Sequence, residues 1–145
     1  MRRFHGFRDS LADRLGEDHE LRALRLKSDT PQRERDALMA WLEERLDDVT
    51  ALFCYNDLVA ISALEAVQSL GKSVPGDVSI VGFDDLPVGQ MSTPNLTTVR
   101  VDWRAIGAEA IHSLAQRRKQ IDGPARELQF GGTLLARGSS AQIRK

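Results

Sequence analysis

The feature that most constrains the fold is a stretch of low charge in the middle of the chain. Residues 51–99 hold one basic side chain, Lys72, against Asp57, Glu65, Asp77, Asp84 and Asp85. Within it lie two short uncharged runs, Ala51-Leu52-Phe53-Cys54-Tyr55 and Val78-Ser79-Ile80-Val81-Gly82-Phe83. Apolar runs of this length, rich in β-branched and aromatic residues, read as strands buried on both faces, as in a parallel sheet covered by helices. Between them, Asn56-Asp57 supplies a helix cap, Ile61, Leu64 and Val67 follow at helical spacing, and Gly71 stops the helix. Val74-Pro75-Gly76-Asp77 then makes a turn before the second strand.

The flanks extend the alternation. Phe4, Phe7, Leu11 and Leu15 recur with helical period. Residues 20–26 read as a strand with imperfect alternation. Thr30-Pro31 is a helix start, a hydroxyl cap followed by proline at the first helical position, and Leu38, Trp41, Leu42 and Leu46 form the stripe of that helix. The order helix, strand, helix, strand, helix, strand predicts an α/β fold, a parallel sheet flanked by helices. Residues 86–95, with Pro87, Gly89 and Pro94, read as a loop or short helix, and Thr97-Thr98-Val99-Arg100-Val101 is strand-like. Ile106, Ala110, Ile111 and Leu114 mark a last amphipathic helix. Leu128-Gln129-Phe130 and Thr133-Leu134-Leu135-Ala136-Arg137 read as short strands split by Gly131-Gly132.

Composition excludes several classes. At 145 residues and net charge −1 the chain is one domain and, as a whole, not a basic nucleic-acid binder. The charge is partitioned: residues 1–50 carry 10 basic and 12 acidic side chains, residues 100–145 carry 9 basic and 4 acidic. The basic end reads as a solvated helix face, because Arg117-Arg118-Lys119 closes an apolar-periodic segment where cations suit the helix dipole. No apolar run approaches the about 20 residues of a membrane span. Cys54 is single and reads as a buried strand residue, so nothing asks for an oxidising compartment. Met1-Arg2-Arg3 runs straight into Phe4-His5-Gly6-Phe7-Arg8-Asp9, which is no signal-peptide core, and a cytoplasmic location is expected.

Polar residues gather where the predicted strands end. Ligands of open parallel sheets bind outside the carboxyl ends of the strands. Asn56-Asp57 follows the first buried strand and Asp84-Asp85 the second. Arg3, ahead of the first helix, falls at the same rim if a strand precedes it. An amide, a carboxylate and a guanidinium together suit a ligand with many hydroxyls or a carboxylate. Structural roles compete: Asn56 or Asp57 can cap a helix, and Asp85 before Leu86-Pro87 can be a turn residue. Asp84 and Asp85 are also candidates for holding Mg²⁺. His5, His19 and His112 have no metal-ligand spacing, Ser139-Ser140 has no activating partner in sequence, and no phosphate-binding glycine motif occurs. No cofactor is expected, and the chain does not read as an enzyme.

Several segments resemble the lactose-repressor/galactose-repressor (LacI/GalR) family. They are Phe53 to Ile61, Leu70 to Asp85 and Thr93-Pro94-Asn95-Leu96-Thr97-Thr98-Val99, with Arg3-Phe4-His5-Gly6-Phe7 before them and Leu135-Ala136-Arg137-Gly138-Ser139 after. The resemblance implies a bacterial transcription regulator, a helix-turn-helix followed by a two-lobed sensor of the periplasmic-binding-protein-like type I fold. A small, sugar-like effector sits between the lobes, and the protein works as a homodimer on operator DNA. It implies that residues about 1–99 and 125–140 are the second lobe (the C-terminal subdomain), and that about 100–124 cross back into the first. By position, Arg3, Asn56 and Asp84 fall where relatives hold the effector. Thr30 falls near the place where relatives often stack an aromatic ring, which is lacking here. Leu58, Ile61, Ala66, Leu70, Leu86 and Met91 fall on the implied dimer surface. The chain starts at what resembles the second lobe, so operator DNA is expected to be bound by a helix-turn-helix outside it. The helix of Ile106 and Leu114 is then expected to pack on its own lobe in a new position or on a second copy. Competing expectations are a periplasmic-type sugar-binding protein for uptake and a small Mg-dependent phosphotransfer enzyme using Asp84 and Asp85.

Overall fold

The computed structural model describes residues 2–16, 21–26, 30–119 and 126–142. Elements follow in the order α1 (Arg2–Leu15), α2 (Pro31–Arg45), a 3₁₀ turn (Leu46–Asp48), β1 (Ala51–Phe53), α3 (Asp57–Ser69), β2 (Ser79–Val81), α4 (Pro87–Met91), β3 (Thr98–Val101), α5 (Trp103–Lys119) and β4 (Gly132–Leu135). β1 and β2 pair in parallel, with Leu52 opposite Ile80. On the other side of β2 a parallel bridge joins Val81 to Thr97. The ladder continues there: Gly82 N–H donates to the Thr97 carbonyl and Asp84 N–H to that of Val99, both at 2.9 Å. β3 then pairs antiparallel with β4, Thr98 opposite Leu135. The expected parallel sheet is present, short, and extended by an antiparallel ribbon.

Local sequence explains the helices. Thr30 Oγ1 accepts from the Arg33 N–H at 3.4 Å ahead of Pro31. Asn56 Oδ1 accepts from the Val59 N–H at 2.9 Å. Each cap satisfies a helix donor that would otherwise lack a partner, worth about 1 kcal/mol. Gly71, at φ +77°, ends α3 in the left-handed conformation that glycine adopts without cost.

The core lies between α2, α3 and the sheet. Leu38, Leu42 and Leu46, four apart, meet Ala60, Ala63, Leu64 and Val67 of α3, and Val78, Ile80 and Leu96 close the cluster. Burying each large aliphatic side chain is worth about 1.5–3 kcal/mol. Cys54 is buried here and its thiol is pushed up to about 12, by burial first and by the nearby Asp57 second.

Two expected strands are absent. Residues 21–26 form no strand, although Leu24 and Leu26 pack against the core. Arg22 and Arg25 interrupt the alternation, and Arg22 pairs with Asp48 at 2.7 Å. Residues 128–130 are likewise irregular, and β4 begins only at Gly132, opposite Val101. Glu20, Asp29 and residues 120–125, which belonged to the expected strand, the Thr30 segment and the crossover, lie outside the described residues.

Candidate functional site

The carboxyl ends of β1 and β2 bring together the rim residues expected from sequence. Arg3, on the first turn of α1, reaches both strand ends. Its Nη1 donates to the Tyr55 carbonyl at 2.6 Å and its Nη2 to Asp84 Oδ1 at 3.2 Å. The guanidinium lies 3.9 Å from the centre of the Phe83 ring, a cation–π contact. α1 is held in place by Phe7, whose ring stacks on Phe53 of β1 with centroids 4.7 Å apart and planes 7° off parallel. Arg3 remains 37% exposed and Asp84 16% exposed, so both heads are within a ligand's reach.

Asp84 is held in an unusual backbone conformation. Its φ is +108° and that of Asp85 +54°, the only two non-glycine residues with positive φ among those described. Aspartate tolerates this region better than most residues, and such outliers cluster at ligand sites. The Asp84 carboxyl is raised above the usual carboxylate range, chiefly by burial and further by the charge of Asp57, while Arg3 opposes the rise. It is a carboxylate presented with less water than normal, suited to accept hydrogen bonds from hydroxyls.

The other candidates divide. Asn56 adjoins Tyr55, with Oδ1 spent on the α3 cap and Nδ2 without a partner among the described residues. Thr30 caps α2 and takes no part in the Arg3–Asp84 contact. Of the implied dimer surface, Leu58 and Met91 are exposed, Ile61, Leu70 and Leu86 are half-buried, and Ala66 is in the core.

Two carboxylates that competed for the ligand role are structural. Asp57 is fully buried: Oδ1 accepts from the Thr98 hydroxyl and Oδ2 from the Leu86 N–H, both at 2.6 Å, while its own N–H donates to the Phe83 carbonyl. Gly82 makes room for it, since a Cβ there would meet Asp57 Oδ1, Leu96 and Ala60. Asp85 is gripped by two arginines, Arg100 Nε at 2.7 Å on Oδ2 and Arg137 Nη2 at 2.5 Å on Oδ1. Burial raises its carboxyl, and the bonds from Arg137 and Arg100 outweigh this and leave it below the usual range. The sequence reading missed both arginines. Arg137 stood in a motif already noted, and an acid doublet before a turn was the matching signal. Ser139, similarly, is no nucleophile: it is buried, donates to the Ile80 carbonyl at 2.6 Å and accepts from the Thr97 N–H at 2.8 Å.

A family model, described as a periplasmic binding protein-like domain, matches residues 1–140. The HTH-type transcriptional regulator MalR of Streptomyces coelicolor is 42% identical over 94 residues, 65% of this chain and 27% of its own length. The chain belongs to the periplasmic-binding-protein-like family, in its LacI/GalR branch. Among solved structures, the transcription regulator GntR of Chromobacterium violaceum superposes with a TM-score of 0.77 at 38% identity, over 97% of this chain and 51% of that one. A LacI-family regulator of Arthrobacter sp. FB24, in complex with lactose, gives 0.71 at 28% identity, over 92% and 50%. The chain thus spans 27% of the length of MalR and about half of these two solved chains. These relatives are transcriptional regulators, not enzymes. No helix among the described residues is long and apolar enough to cross a membrane.

Proposed function

We propose that this chain is the effector-sensing part of a LacI/GalR-type transcriptional regulator, and that its effector is a sugar or related polyol held at the rim by Arg3, Asn56 and Asp84. The observation that carries the reading is the Arg3–Asp84 contact at the ends of adjacent parallel strands, where open sheets bind ligands. Each group has a task. Asp84 accepts from ligand hydroxyls, Arg3 donates paired bonds to adjacent oxygens, and the Asn56 amide donates to a third oxygen. Lactose in the Arthrobacter relative favours a sugar. Thr30 is at most a peripheral contact, since its hydroxyl caps α2.

The reading is one of binding, not catalysis. Asp85 is committed to two guanidinium groups, which removes it as a partner of Asp84 for Mg²⁺. Operator DNA is the partner of the whole regulator, a cytoplasmic protein, through regions of the relatives that this chain does not match. Residues about 100–124, α5 included, cross back into the first lobe. A homodimer uses Leu58, Ile61, Leu70, Leu86 and Met91, with Ala66 behind them. Effector and operator then alter each other's affinity through a shared conformational equilibrium.

Calorimetric titration with a panel of neutral mono- and disaccharides, lactose included, tests the site. At least one is expected to bind, and Asp84→Asn is expected to weaken it tenfold or more by exchanging a charge-assisted acceptor for a neutral amide. Undiminished binding by Asp84→Asn would overturn the assignment.

A further inference from the structure

The loop that carries Asp84 is fixed from behind by charge. Asp85 follows it, with its carboxylate only 7% exposed between Arg100 of β3 and Arg137 beyond β4. Arg137 does more than neutralise. Its Nη1 donates to the Leu96 carbonyl at 3.0 Å, and its backbone N–H donates to Thr97 Oγ1 at 2.8 Å. Thr97 Oγ1 in turn lies 2.8 Å from Ser140 Oγ. The arginine is therefore a rigid post, bonded to Leu96 and Thr97 in the segment before β3, and Asp85 is tied to it. Backbone bonds complete the fixing: Asp84 N–H to Val99, Asp85 N–H to the Thr98 hydroxyl at 3.4 Å, and Leu86 N–H to buried Asp57.

Two consecutive positive-φ aspartates are strained and persist only where the surroundings over-determine them. The Arg3 contact does not fix the turn, because within residues 84–86 Arg3 bonds only to the Asp84 carboxylate. We propose that Asp85, clamped by Arg100 and Arg137, is a positioning residue: it holds the residues 84–86 turn and so sets where the Asp84 carboxylate stands, without touching the ligand. This deepens the rim reading above and rests on it for its importance to binding. The fixing of the turn itself requires no ligand.

The clamp also reaches beyond the rim. Arg100 is two residues from Asp102, whose carboxylate accepts from the Ala105 N–H at 2.9 Å and starts α5. The ion pairs thus join the presented carboxylate to the strand that leads into α5.

Amide hydrogen exchange on the whole chain tests the clamp without a ligand. In Asp85→Asn, protection at the amides of Asp84, Asp85 and Leu86 is expected to fall tenfold or more relative to Leu64 and Val67 in α3. Arg100→Gln, which removes only the exposed arm, should give a smaller loss at the same amides. It also serves if Asp85→Asn fails to fold. Arg137→Lys keeps the charge but not the two-armed bridge, and is expected to rescue only partly. Equal changes in the loop and α3, or no change in the loop in any variant, would overturn the proposal, because a residue that merely stabilises the fold lowers protection everywhere. Lactose titration of the same variants separates the two ideas. If Asp84→Asn and the native chain respond alike to lactose while Asp85→Asn still frees the loop, the rim reading fails and the clamp stands.

Discussion

At the scale of single residues, three carboxylates and an arginine near one rim do two kinds of work. Asp84 and Arg3 keep partly exposed heads, whereas Asp57 and Asp85 spend every oxygen on the protein. The pH dependence of stability should distinguish them. Asp85 has a folded value below its ordinary 3.8, so its contribution is present above 3.8 and is lost as pH falls through the lower folded value. Asp84 has the opposite sign: its folded value is raised, so protonating it on the way down toward 3.8 adds stability. Melting temperatures between pH 3 and 7 are therefore expected to drop at the acid end in the native chain. Asp85→Asn should flatten that drop, and Asp84→Asn should leave it in place. An unchanged acid limb in Asp85→Asn would mean that its arginine pairs contribute nothing to the fold. Sequence alone suggested Asn56 or Asp57 as the α3 cap, and Asn56 is that cap. It offered no way to see that Asp57 faces inward, because its partners, the Thr98 hydroxyl and the Leu86 N–H, lie 41 and 29 residues away.

At the scale of elements, the parts with strong local signals were legible and the rest were not. β1 and β2 were visible as uncharged runs, and α2 and α3 as capped helices with apolar stripes. The supposed strand at residues 21–26 was not one, since a segment with Arg22 and Arg25 inside it packs two leucines on the core but cannot lie buried in a sheet. The β3–β4 ribbon was half legible: both strands were expected, but their antiparallel pairing depends on a return of the chain that no local pattern encodes. The junction of β2, α3 and α4 is tight. Gly82→Ala would push a methyl into the Asp57 carboxylate and the side chains of Leu96 and Ala60. Overpacking of this kind costs about 1–3 kcal/mol, and displacing a buried carboxylate from its donors places the expected loss at the upper end. Urea denaturation should show it as a lower midpoint with an unchanged slope. A midpoint equal to that of the native chain would mean the junction yields easily.

At the scale of the whole molecule, the distribution of apolar surface is uneven. The core between α2, α3 and the sheet is closed, while α5 leaves Trp103, Ile111 and Leu114 at 53, 69 and 65% exposure, and of its large apolar side chains Ile106 alone is half-buried. The expectation that this helix would pack on its own lobe in a new position does not hold, and association with a second copy is what remains of it. Several large apolar groups on one helix drive association. Light scattering is expected to show concentration-dependent self-association that Leu114→Glu reduces, and a monomer at all concentrations would count against it. Arg3, Asn56 and Asp84 are proposed above as a sugar-binding rim. The most direct measurement is a heteronuclear NMR titration of the chain with the sugar panel, following the Arg3 guanidinium, the Asn56 side-chain amide and the Asp84 backbone amide. Saturable shifts at all three with one of the sugars, lost in Asp84→Asn, are the expected result. Shifts confined to other surfaces, or none with any sugar, would mean that these three residues do not form a sugar site.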